Sequence, residues 1–254
     1  MSLARDTSVL YRRYLTKLVR NPTLLASNLV FPVAWFALLS QMLGKLTVFP
    51  GVGGSFQAYL TPGILAMCSM IYTAQAGLSI VNDLNSGFLP KMLVTQVNRG
   101  AILLGRVLTD SSMVVLASLL VILTALVLGV HFVTGLPGIL LMLATTAFFG
   151  LAWAGIYLAI GLQTKSPETL NAISSGLGFL LMFLSSAMFP TSIMPEWART
   201  FSSWNPVSYV ADAMRSAVQG GYNWHDFAMA YTATAGIAAV AFAVALYQFR
   251  KIVR

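Results

Sequence analysis

Across 254 residues, 57% are hydrophobic and only 9% are charged, against roughly 25% charged in soluble domains. A soluble chain of this length could not hide so much apolar surface, so its solvent is lipid. The net charge of +8 would suit a nucleic-acid partner, but the basic residues are scattered among loops between apolar segments, which fits membrane orientation instead.

Residues 3–20 have helical periodicity. At about 100° per residue, Leu3, Leu10, Tyr11, Tyr14, Leu15 and Leu18 share one face, and Arg5, Arg12, Arg13, Lys17 and Arg20 share the other. This predicts an amphipathic helix in the headgroup plane, its cations toward anionic lipid, within an N-terminal element of residues 1–22. Asn21-Pro22 ends it. The apolar run that follows is longer than a signal-peptide core and lacks a small-residue cleavage site, so it reads as a retained anchor.

Six apolar segments approach the roughly 20 residues that cross a bilayer: Thr23–Leu43, Tyr59–Val81, Val107–Gly129, Gly138–Leu162, Leu170–Phe189 and Phe227–Phe249. The third carries Asp110 near its start, and the fifth is short and ends at proline. On this division twelve basic residues fall on the side of both termini and three, Lys45, Arg199 and Arg215, on the other. The positive-inside rule then makes both termini cytoplasmic in a multi-pass protein of the cell membrane. The expected fold is all-α: one membrane domain, residues 1–254, with six spans.

Two connections are unusual. Residues 82–106 form a cytoplasmic loop longer than helix–helix connections commonly are. After Gly87 the pattern predicts a short helix in which Phe88, Met92 and Gln96 share a face beside Lys91 and Leu93; Pro90 falls in its first turn. Such a helix could fill a groove on a soluble partner. On the outer side, residues 190–222 are too polar to span and too aromatic for an ordinary loop. Pro190 and Pro195 break the preceding span, and Trp197, Phe201, Trp204 and Tyr209 are interfacial residue types. Asn205-Pro206 supplies a cap with proline at the first helical position, and Asp212 and Arg215 are spaced to pair on one face. This predicts a re-entrant helical hairpin.

The outer stretch resembles the C-terminal signature of ABC type-2 export permeases, a Pro-Glu-Trp run leading into N-P-x-x-Y-x-x-D-x-x-R; here Pro195, Trp197, Asn205, Pro206, Tyr209, Asp212 and Arg215 carry it. The cytoplasmic loop is similar to the coupling-helix region of the same family: Gly87, Leu93, Thr95, Val97, Arg99 and Leu104-Gly105-Arg106 match, whereas Pro90 stands where an acidic residue is usual and Gln96 replaces a proline. The resemblance implies a dimer of permeases, homomeric or heteromeric, working with two separate ATPase subunits that hold the ATP and magnesium. It assigns ATPase coupling to Gly87, Phe88, Lys91, Met92, Leu93 and Gln96. It places the substrate route along spans one, two and five, past Phe31, Trp35, Gln75, Phe179, Met182 and Phe183, with Ser185 and Ser186 as further candidates. Met67, Met70 and Met188 offer adaptable apolar lining. So apolar a route suits an amphiphilic drug, lipid or lipid-linked molecule. A polysaccharide-type export permease, a lipid-modifying membrane enzyme or assembly factor, and a secondary carrier are the alternatives.

Catalytic and metal signatures point elsewhere. Gly44-Lys45 is followed by leucine, not serine or threonine, and no phosphate-cradling loop occurs. His131 and His225 stand apart at span ends, Asp226 suits helix capping, and the single cysteine, Cys68, suits packing. Neither a catalytic set nor a metal set is expected, and no cofactor on this chain. Gly150/Ala154 and Gly155/Ala159 read as small-residue pairs for packing within the chain.

Overall fold

A computed structural model describes residues 3–43, 55–88 and 99–252, and every regular element among them is helical. In chain order these are α1 (Leu3–Val19), α2 (Pro22–Leu43), α3 (Phe56–Asn85), α4 (Arg99–Val127), α5 (Gly135–Thr164), α6 (Pro167–Phe183), α7 (Glu196–Trp204), α8 (Pro206–Gln219) and α9 (Trp224–Ile252), with a 3-10 turn at Thr191–Ile193. Four described stretches are long and apolar enough to cross a membrane: Phe56–Asn85, Gly100–Val127, Gly135–Thr164 and Trp224–Phe249. The chain is a multi-pass membrane protein.

The bundle is built around α3 and α5. Their backbones touch at Gly77, where a Cβ would stand 2.4 Å from the Tyr157 carbonyl oxygen. Small and hydroxylated residues face each other along the seam, and two turns away the Ser69 hydroxyl crosses to the Thr146 carbonyl at 2.8 Å. Between lipid-solvated helices, close approach and interhelical hydrogen bonds supply cohesion that hydrophobicity cannot. Gly150 meets Thr73 and Val114, and Gly155 meets Ala241 and Phe242, so both small-residue pairs pack within the chain.

Three local outcomes differ from the sequence reading. Helix α4 starts at Arg99, ahead of the predicted Val107, because Ala101, Ile102 and Leu103 are buried and continue the apolar periodicity. Helix α6 ends at Phe183, short of the predicted Phe189. Its 17 residues reach about 25 Å at about 1.5 Å per residue, less than the roughly 30 Å hydrocarbon core. Finally, the apolar face of α1 is turned to protein: Leu10 and Tyr14 are buried, and at Gly105 of α4 a Cβ would lie 2.9 Å from the Leu10 Cβ. Its cations Arg5, Arg12, Arg13, Lys17 and Arg20 remain exposed. Amphipathicity fixes that a face is covered, and Gly105 lets α4 cover Leu10 closely.

Capping follows the sequence signals. Ser166 accepts the Thr169 N–H with Pro167 at the first position of α6, and Asn223 accepts the His225 N–H while donating to Asp226 at the start of α9. His225 is largely exposed, its Nδ1 3.7 Å from the Asp226 carboxylate. Cys68 is fully buried.

Candidate functional site

Helices α2, α3 and α6 border a cleft of about 490 Å³. Two aromatic pairs flank it. Phe31 and Trp35, one turn apart on α2, stack with ring centroids 6.1 Å apart, and Phe179 and Phe183 on α6 lie 4.3 Å apart. Helix α3 contributes Met67, Met70, Ile71, Ala74, Gln75 and Leu78, the spacing of one helical face, and Met182 and Met188 complete the apolar lining. Phe31 and Phe179 are 52% and 65% exposed, so the cleft opens sideways. All described residues lining it are uncharged. Its polar groups are Gln75, Asn171, Ser174 and Ser175, with the phenol of Tyr157; the buried Ser174 hydroxyl has no hydrogen-bond partner among the described residues.

Phe31, Trp35, Gln75, Phe179, Met182 and Phe183 therefore meet in one cleft. Ser185 and Ser186 do not reach it. Both are buried; Ser185 donates to the Met182 carbonyl at 2.7 Å, and Ser186 donates to Asp212 at 2.8 Å. Hydroxyls two or three residues past a helix end bond to local backbone and to whatever crosses the break, here α8.

That crossing is a polar clamp. Asn205, the only residue between α7 and α8, donates from Nδ2 to the carbonyls of Leu181 (2.7 Å) and Leu184 (3.1 Å) while its Oδ1 accepts the Val207 N–H. One side chain thus satisfies the open end of α6 and the start of α8, and Pro206 occupies the position where a missing N–H costs nothing. Asp212 and Arg215 form an ion pair. Arg215 also donates to the Ser186 carbonyl at 2.8 Å, an oxygen that accepts the Tyr59 hydroxyl at 2.6 Å as well. Tyr209 donates to the Ser203 carbonyl at 2.6 Å, and Arg199 to the carbonyls of Thr191 and Met194. Trp197, Phe201 and Trp204 form an exposed aromatic face on α7; Pro195 is the residue before its first turn.

At the opposite end, α3 closes with Gly87 at a φ of +70°, the left-handed conformation that suits glycine just past a helix. Phe88 follows, and the Arg13 guanidinium of α1 lies 4.1 Å from its ring centroid. Lys91, Met92, Leu93 and Gln96 lie outside the described residues. Arg106 explains the Leu-Gly-Arg sequence on α4: with α1 drawn close by Gly105, Arg106 reaches Asp110 at 3.1 Å, the Gln75 carbonyl at 3.0 Å and the Tyr14 ring at 5.6 Å. Burial, then the nearby Asp83 carboxylate, pushes the Tyr14 phenol above its ordinary pKa, so it meets the guanidinium as a neutral ring.

Sequence reasoning missed Asn171, Tyr157 and the cleft role of Ser174. Asn171, Ser174, Ser175 and Gly178 follow an i, i+3, i+4, i+7 stripe on α6 that continues to Met182, a signal present in the sequence once α6 is placed beside α3.

A family model described as ABC-2 type transporter matches residues 5–218. The chain is similar to the daunorubicin resistance ABC transporter permease protein DrrB1 of Streptomyces coeruleorubidus, 23% identical over 86% of this chain and 77% of that protein. It is similar to the probable doxorubicin resistance ABC transporter permease protein DrrC of Mycobacterium tuberculosis, 24% identical over 82% of this chain and 75% of that one. Nodulation protein J of Bradyrhizobium diazoefficiens is 27% identical over 82% of this chain and 79% of its own length.

Proposed function

Because this chain belongs to the ABC-2 type transporter family and is the permease subunit of an ABC exporter, we propose that it moves an amphiphilic drug or lipid-like molecule out of the cytoplasm or inner leaflet. The cleft between α2, α3 and α6 carries that reading: it is open sideways, aromatic and methionine-rich, and its described lining is uncharged. Such a surface receives apolar bodies of varied shape from lipid, and thioethers repack around them. Resistance to daunorubicin and doxorubicin, named for two of the similar permeases, fits cargo of this kind.

In this reading six spans cross the membrane, α2 and α6 among them, with both termini cytoplasmic. The Asn85 amide reaches the Lys165 carbonyl at 3.4 Å and Arg13 covers Phe88, so α1, the end of α3 and the α5–α6 turn lie at one end of the bundle, with the basic residues of α1 and Lys165 among them. That end faces two ATPase subunits, where ATP and magnesium are bound and hydrolysed. Gly87, Phe88, Lys91, Met92, Leu93 and Gln96 meet those subunits, and a second permease copy completes the route. The hairpin of α7 and α8 re-enters from the outer face, its Trp197, Phe201 and Trp204 side against the membrane interface.

The lipid-enzyme alternative needs Glu196, Arg199, Asp212 and Arg215 gathered at one reactive centre. Arg199 instead holds backbone carbonyls and Arg215 holds Asp212 and Ser186, which favours a scaffolding use. Co-reconstitution of the chain with its ATPase in proteoliposomes tests the proposal. Daunorubicin uptake into ATPase-outward vesicles should require ATP and should fall about ten-fold in Trp35→Ala or Phe179→Ala, the loss of one to two aromatic contacts. Uptake driven by an ion gradient without ATP would overturn it.

A further inference from the structure

Tyr157 of α5 keeps its ring in the core and brings its hydroxyl to the cleft. The residue is 1% exposed, and its ring lies against Trp153 with centroids 5.7 Å apart, yet it lines the cleft between α2, α3 and α6. Gly178 of α6, also in the lining, supplies the opening. A Cβ there would stand 3.8 Å from Tyr157 Oη and 3.8 Å from Met70 Cε. The missing side chain leaves the phenol oxygen uncovered on that side.

That oxygen forms no hydrogen bond among the described residues. Buried phenols ordinarily find a partner, and leaving one bare is costly. The other polar groups of the lining differ. Gln75 and Asn171 are exposed, so their amides turn on flexible stems and adapt to many partners. The Ser174 hydroxyl is unpartnered too, but it is covered too deeply to meet a ligand. Tyr157 instead combines a locked ring with an O–H that faces the cleft. A phenol donates more readily than it accepts, so an acceptor oxygen satisfies it best. Water serves while the cleft is open. An apolar body that fills the cleft expels that water and strands the O–H, unless it brings an acceptor of its own.

We propose that Tyr157 is a specificity-determining residue of the cleft. Its hydroxyl donates to a carbonyl oxygen that an otherwise apolar cargo carries inward past Gly178, while the body of the cargo lies between the Phe31–Trp35 and Phe179–Phe183 pairs. The assignment rests on the cleft being the cargo route and adds a recognised group to it: a neutral carbonyl.

Acetylpyrene and ethylpyrene, substituted at the same carbon, have nearly one shape and differ in the carbonyl, so they make a matched pair. Binding of each to the full chain in phosphatidylcholine nanodiscs, measured as the excess over empty nanodiscs, is expected to favour acetylpyrene about five-fold, the order of one net hydrogen bond. Tyr157→Phe keeps the ring and its packing on Trp153. It should bring the two probes to near parity and leave ethylpyrene binding unchanged. The infrared carbonyl band of isotope-labelled acetylpyrene should lie lower when bound to the native protein than in lipid, and should return to its lipid position in Tyr157→Phe. Equal affinity for the two probes in the native protein, a preference or band shift that survives in Tyr157→Phe, or equal loss of both probes in that variant overturns the assignment. ATP-driven daunorubicin uptake without any carbonyl preference would overturn it and leave the exporter reading standing; a Tyr157-dependent preference without ATP-driven uptake would do the reverse.

Discussion

The guanidinium of Arg215 lies 3.8 Å from the centroid of the Tyr59 ring, so a residue of α8 covers the first turn of α3. The same two side chains converge on the Ser186 carbonyl, which belongs to the break after α6. Three elements are fastened at one oxygen.

Removing Arg215 should therefore cost more than a surface ion pair does. Arg215→Ala is expected to lower thermal stability in detergent by about 2 kcal/mol, through the lost charged hydrogen bond and the ring contact. Asp212 is 46% exposed, so Asp212→Ala should cost about 1 kcal/mol or less. A double-mutant cycle should give positive coupling between them. Additive losses would show that the pair does not act as a unit.

Asn205 holds two carbonyls of α6 and caps α8 at once. Asn205→Ala should destabilise by about 2–3 kcal/mol, the sum of a lost cap and unmatched acceptors. Asn205→Asp separates the roles: it keeps the cap but presents an anion to the Leu181 and Leu184 carbonyls. It should be at least as damaging as alanine, and an aspartate variant as stable as the native protein would contradict the double-cap role.

Gly105 sets the distance between α1 and α4. Gly105→Val should push α1 outward and destabilise by about 1–3 kcal/mol. Arg106 would lose its reach to Tyr14. Limited proteolysis of intact membrane vesicles reads this directly: cleavage at the exposed Arg12, Arg13 or Lys17 should become faster in the variant than in the native protein.

Topology is open to chemical labelling. In cells, a cysteine at Thr200 of α7 should react with an impermeant maleimide added outside, and one at Asn98 should be protected until the membrane is opened. The reverse pattern would place the aromatic hairpin in the cytoplasm and invert the proposed orientation.

Much of this architecture is written locally. Long apolar runs announce α3, α5 and α9, because in lipid each segment must satisfy its own backbone. The seam of α1 is legible from periodicity, and the caps at Ser166 and Asn205 from residue type. What is not local is also not legible. The end of α6 at Phe183 depends on an amide more than twenty residues downstream, and no propensity of Leu184 or Ser185 foretells it. Periodicity shows that α1 covers something, but only Gly105, far along the chain, decides what. For the cleft, the aromatic residues of α2 and α6 stand out in the sequence. The hydroxyl and amide stripe of α6 acquires meaning only beside Gln75.

The contact of Gly77 with the Tyr157 carbonyl leaves no slack between α3 and α5, and the Ser69–Thr146 bond pins them again nearer the other end. These two helices form a fixed jaw. Any widening of the cleft has to come from the opposite jaw, α2 and α6, whose Phe31 and Phe179 already face outward. On the route proposed above, the largest cargo is then set by how far lipid lets that jaw swing, and substitutions on its outer surface should alter cargo size without touching the cargo itself.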